Sequence, residues 1–207
     1  MAKPKPQKFL VGTMMYVLLF VGAKERIRGS DTDNKCGGEE RWEQKVLIDP
    51  EAQEIHEKPI VTTIAELQQI NTKLPENKYQ EGKPRMEIEK QVYTIKNCFI
   101  TDIIREDDND LHLVIEDGNK NSPHTMIAEI PDPKCPQAQK SDWVGEYQDV
   151  QKFLLDHAEN YRHFQFTITG VLFVDKAHGQ TGKAPNSVEI HPILKIKIER
   201  QINPILQ

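Results

Sequence analysis

Arginine is scarce where a phosphate-handling protein would need it. After residue 90 only Arg105, Arg162 and Arg200 occur, each isolated. A nuclease built on a small barrel needs clustered carboxylates for a cation and arginines to hold a phosphate, so this shortage argues against hydrolysis of nucleic acid. Positive charge is short overall, with 27 Lys plus Arg against 32 Asp plus Glu and a formal net charge of -5. Residues 91–207 alone carry 12 basic and 17 acidic side chains. That sign is wrong for coating nucleic acid or anionic lipid, and the aromatics Phe164 and Phe166 are expected on an inward strand face rather than as an exposed base-stacking platform. There is no CxxC pair, and none of the three cysteines neighbours a histidine at metal-ligand spacing, which argues against a cysteine-based zinc site. No serine lies in a GxSxG elbow.

Long apolar runs are also lacking, with one exception. Phe9 to Ala23 (FLVGTMMYVLLFVGA) follows Lys3, Lys5 and Lys8 and ends in Val21-Gly22-Ala23. The run is shorter than the ~20 residues of a spanning helix, and its basic-apolar-small layout is that of a signal peptide cleaved after Ala23. An uncleaved signal anchor is the competing reading. Either way the protein is expected outside the cytoplasm, secreted or periplasmic, touching a membrane only through residues 9–23 if uncleaved. An oxidising compartment permits one disulfide among Cys36, Cys98 and Cys135, with the pairing open and Cys98 expected as a small buried side chain inside a strand.

Residues 24–90 read as a polar linker or tether. They are charged and Gly-containing at the start (GSDTDNKCGGEE) and carry two prolines and a glycine at 71–90. One short helix near 63–70 is expected within them, because Ile64, Leu67 and Ile70 recur every three residues behind a threonine that can cap. A compact domain is expected over 91–200, followed by a tail at 201–207. VYTIKNCFITDII is rich in β-branched residues, and its alternation slips at Asn97-Cys98 as a β-bulge would make it do. DLHLVIED alternates Leu111, Leu113 and Ile115 against His112, Val114 and Glu116, a half-buried strand. Asp117-Gly118-Asn119 then turns the chain into HTMIAEI. Val150, Phe153, Leu154, His157 and Tyr161 share a helical face. HFQFTITGVLFVD is a long strand bent at Gly170. VEIHPILKIKIE is the last, with Glu189, His191, Lys195 and Lys197 outward. The order βββαββ with bulged strands is that of a mainly β, five-stranded OB-like Greek-key barrel.

The strongest candidate site comprises Asp175, His178, Glu189 and His191. Glu189 and His191 lie two apart on a strand, and His178 sits in the loop AHGQTGKAPNS that could fold over them. Two imidazoles and carboxylates could hold a divalent metal. The competing and preferred reading is structural, with His178, Asn186 and His191 buttressing the loop, so neither a metal nor another cofactor is expected. The acidic turn Asp107, Asp108 and Asp110 reads as solvated.

The segments DLHLVIED, TMIAEIPDPKC and FTITGVLFVDKAHGQTGKAPNSVEIHPILKI, with TTIAELQQINTKLP upstream, resemble an uncharacterised family of bacterial, signal-peptide-bearing OB-like proteins marked by HGQTG, APN and EIHP. The family pattern often has glycine where Asn97 stands. The resemblance implies an OB-like fold and an extracytoplasmic location, and it brings no catalytic residue. The function expected is a non-enzymatic binding module whose ligand is a protein or glycan, nucleic acid being disfavoured. The alternative is a metal-dependent hydrolase, phosphodiesterase- or nuclease-like, acting at the loop between the fourth and fifth barrel strands.

Overall fold

The structure, a computed structural model, describes residues 27–28, 36–37, 41–72, 83–121, 123–176 and 179–202. The segment assigned to export (1–23), residues 203–207 of the expected 201–207 tail, and the candidate His178 lie outside the described residues; Gln201 still belongs to the last strand.

Five strands close into a barrel: β2 (Gln91–Arg105), β3 (Leu111–Glu116), β4 (Thr125–Ile130), β5 (Phe164–Val174) and β6 (Val188–Gln201). Around the barrel they run β2-β3-β4-β6-β5, and β2 pairs with β5 to complete the ring. All neighbours are antiparallel except β4 and β6, which run parallel. That arrangement, with a helix between β4 and β5, is the OB-like barrel expected from the pattern. The helix, α3 (Val144–Asp156), buries Tyr147, Val150 and Leu154. Tyr161 is buried too, but from a separate turn after the helix ends at Asp156.

Closure demands corners. At the first, the β2–β5 register slips between Ile95 and Cys98, and Asn97 takes a left-handed φ of 58°, which asparagine tolerates. At the second, the β5–β6 register slips on both sides of Gly170, opposite a cis His191–Pro192 peptide. A Cβ on Gly170 would run into the Ile190 side chain and the Pro192 carbonyl, and would sit 3.0 Å from Ile193 Cα. The backbone of β6 cannot move aside without breaking the ladder. Gly170→Val is therefore expected to cost about 1–3 kcal/mol through overpacking. Urea unfolding checks this, and an unchanged midpoint would show that the corner has slack.

The reading of 24–90 as a linker needs correction over much of its length. Trp42, Val46 and Leu47, on and just after α1 (Trp42–Lys45), are buried in the main apolar core, as are Ile55, Ile64 and Leu67. A sixth strand, β1 (His56–Thr62), pairs in parallel with β2. It escaped the sequence reading because HEKPIVT is polar, contains proline and faces solvent along nearly its whole length. The short helix is present as α2 (Ile64–Leu67), where Thr63 and Glu66 form a reciprocal cap: Glu66 N–H donates to Thr63 Oγ1 at 3.1 Å and Thr63 N–H to Glu66 Oε2 at 2.9 Å. The cysteine pairing left open is Cys36–Cys135, and Cys98 is a free, buried thiol within β2.

Candidate functional site

In an OB barrel the outer face of the second and third strands, flanked by two loops, is where ligands usually lie. Here the chain covers that face itself. The described part of the β5–β6 loop after residue 178, residues 179–187, folds across β3: Gly182 comes so close to Val114 that a Cβ there would collide with the valine side chain, and Thr181 C=O accepts from His112 Nε2 at 3.0 Å. Gly179 and Gly182 have φ near +73° and +81°, which lets the loop fold back over the strand without steric penalty. Asn186 anchors it by donating from Nδ2 to Leu67 O and Ile70 O, at 2.9 and 3.0 Å.

Burial in this region corrects three expectations. β3 is buried on both faces rather than one, with His112 and Val114 as enclosed as Leu113. Glu189 and His191 are not open to solvent: they are 2% and 0% exposed. Asp110 does not belong to a solvated turn, being 1% exposed and accepting Asp132 N–H at 3.0 Å.

Beneath the lid these groups form one network. Glu129, the cross-strand partner of His112, is its centre. Its Oε1 lies 2.7 Å from His112 Nδ1 and its Oε2 3.1 Å from His191 Nδ1. His191 Nδ1 also lies 3.3 Å from Glu189 Oε1, and Lys45 Nζ lies 3.4 Å from Asp175 Oδ2. Both His112 nitrogens face acceptors, so both must donate and the ring is an imidazolium. Burial opposes that charge, but the hydrogen bond and charge of Glu129 outweigh it and raise the His112 pKa. Burial likewise opposes charge on His191, yet hydrogen bonds to Glu129 and Glu189 raise its pKa to about 9. Glu129 has the reverse balance: burial disfavours its charge, while His112, His191 and Lys45 hold its pKa well below the usual carboxylate range. Glu189, buried beside the charges of Glu129 and Asp175, is pushed up to about 7. Asp110 is raised by burial and by Asp108. Lys45 is partly buried, which opposes its charge, and the carboxylates of Glu189, Asp175, Glu129 and Asp110 nevertheless raise its pKa above the ordinary ammonium value.

Of the four residues proposed from sequence, Asp175, Glu189 and His191 belong to this network. Asp110, His112, Glu129 and Lys45 escaped the sequence reading as members of it. A signal was present for two of them: His112 and Glu129 are polar residues inside the otherwise apolar strands LHLVI and MIAEI. Lys45 carried none, because α1 lies far upstream in the stretch read as linker.

An open concavity lies elsewhere. Phe99, Ile100, Thr101, Glu116, Gly118, Lys120 and Arg162 line a groove of about 510 Å³. Gly118, at φ 72°, lies so close to the Phe99 ring that a Cβ would clash with it, and Arg162 donates from Nε and Nη2 to Thr101 O at 3.1 and 2.8 Å. Comparison with protein-family models, with curated proteins and with solved structures gives no match.

Proposed function

We propose that the protein is a non-enzymatic, exported OB-like binding module whose ligand is an extracytoplasmic glycan or protein, taken up in the groove beside Phe99. The observation that carries this reading is the lid over the ionisable network. With Asp110, Glu129, Glu189 and His191 at most 5% exposed, no substrate reaches the groups that could do chemistry, whereas the groove is open. Its volume falls in the usual range for small-ligand sites. An aromatic ring bordered by Lys120, Arg162 and Glu116 offers one apolar stacking surface and polar groups of both signs, a combination suited to a sugar ring or a polar peptide. The Cys36–Cys135 disulfide supports an oxidising compartment, in keeping with residues 1–23 acting as a signal segment. The runner-up, a metal-dependent hydrolase at the β5–β6 loop, draws on the grouping of Asp110, Glu129 and His191 but needs that loop to open.

The test is an amide-resolved NMR titration of the full chain with a chitooligosaccharide, a maltooligosaccharide and a mixed-charge pentapeptide. At least one should move resonances of Phe99, Thr101, Gly118 and Arg162 together. Phe99→Ala should then weaken binding about tenfold, the loss typical of removing a central aromatic contact. Shifts confined to other surfaces, or cleavage of a phosphodiester such as bis-p-nitrophenyl phosphate in the presence of Mn²⁺, would overturn the reading.

A further inference from the structure

The network under the lid is not closed on its own atoms. Asp110 Oδ2 and His191 Nε2 are buried and neither has a hydrogen-bond partner, although they face each other at 3.8 Å. Nδ1 of His191 points at the carboxylates of Glu129 and Glu189, so it carries the proton. Nε2 then faces the Asp110 carboxylate across 3.8 Å, beyond hydrogen-bond reach whether it carries a lone pair or a second proton. Buried polar atoms are not left in that state without cost.

A cation lodged there would meet both unpartnered atoms at once, and the carboxylates of Asp110 and Glu129 bring negative charge to the spot. The nearby guanidinium groups of Arg41 and Arg85 are committed to Glu89 and Asp49.

We infer that Asp110 and His191 Nε2 bind a divalent cation beneath the β5–β6 loop, with Glu129 holding the His191 ring in the ligating tautomer. The donors of Asp110, Glu129 and His191 lie within 4.8 Å of one another. An ion about 2.0–2.2 Å from a nitrogen and an oxygen spans the observed 3.8 Å. A carboxylate holding the far nitrogen of a ligating histidine is the recurrent arrangement that fixes tautomer and ring orientation. One nitrogen with oxygen donors suits Zn²⁺ or Mn²⁺. The enclosure makes the role structural: the ion ties β3, β4 and β6 together under the lid and is loaded as the protein folds. This inference does not depend on what occupies the Phe99 groove.

The experiment refolds the full chain from urea, disulfide intact, with ZnCl₂, MnCl₂ or EDTA, and then removes loose ions by gel filtration. One equivalent of zinc or manganese per chain should remain. The thermal midpoint should rise by several degrees over the EDTA sample, and binding should tighten as pH rises because the ion displaces protons. X-ray absorption of the zinc form should show a single imidazole among oxygen donors. Asp110→Asn and His191→Gln should each lose the retained ion. If either fails to fold, the wild-type stoichiometry and absorption spectrum still decide the matter. No retained ion and equal midpoints with ZnCl₂, MnCl₂ and EDTA would overturn the site, as would a zinc spectrum with no imidazole or with two. Protons alone would then neutralise the network. Loss of the ion site would leave the groove reading standing, and an inert groove would leave the ion site standing.

Discussion

Glu89→Gln is expected to destabilise the protein by about 3–5 kcal/mol, the range for removing one partner of a buried ion pair. Glu89 is 0% and Arg41 2% exposed. The two meet in a bidentate pair, Nη1 to Oε1 at 2.8 Å and Nη2 to Oε2 at 2.7 Å. The same carboxylate accepts Val174 N–H at 3.0 Å and Met86 N–H at 2.8 Å, so it also joins β5 to the turn that launches β2. The Arg41 guanidinium lies over the Phe173 ring, 4.8 Å from its centroid. An amide at position 89 leaves that guanidinium charged, out of water and uncompensated. The loss is a large fraction of the ~5–15 kcal/mol that holds a typical domain folded. Adding Arg41→Met to Glu89→Gln should recover part of the loss, because the orphaned charge is what costs most. Urea midpoints of the single and double variants check this. A single variant within 1 kcal/mol of wild type would show that water reaches the pair.

The second large effect is expected from the Cys36–Cys135 bridge. It closes a loop with a sequence separation of 99. By the chain-entropy argument, tying a loop of that length removes roughly 4–5 kcal/mol of freedom from the unfolded state. Residues 28–40 (RGSDTDNKCGGEE) hold no large apolar side chain, so the bridge itself ties this polar stretch to Cys135, which follows β4. The Cys36→Ser, Cys135→Ser double variant should lose on the order of 2–5 kcal/mol in a urea titration, and reductant should do the same to the wild type while leaving the double variant unmoved. Cys98 does not complicate the measurement: it is buried within β2, and burial pushes its thiol up to about 12, so it stays protonated and unreactive. Equal midpoints for oxidised and reduced protein would show that the unfolded chain is already constrained there.

Local sequence determined the barrel. Alternation with period two specified β3, the Asp117-Gly118-Asn119 turn signal specified β4 as its returning partner, and parity slips at Asn97 and Gly170 marked two corners, because a strand that turns a barrel corner must shift its inward set by one residue. The threonine cap announced α2 for an equally local reason, since the groups that satisfy one another lie three residues apart. What the sequence could not decide was anything resting on long-range pairing. β1 looked like linker because a polar edge strand has no apolar period of its own and exists only through its hydrogen bonds to β2. Lys45 and Asp175 meet across 130 residues, and Arg41 and Glu89 across 48. Glu189 and His191 read as outward because alternation tells only which face of a strand a residue takes, not what covers that face. Thr181 and Gly182 of the β5–β6 loop cover the neighbouring His112 and Val114, Arg41 and Lys45 lie over Phe173 beside His191, and that packing makes the pair part of a buried charge network.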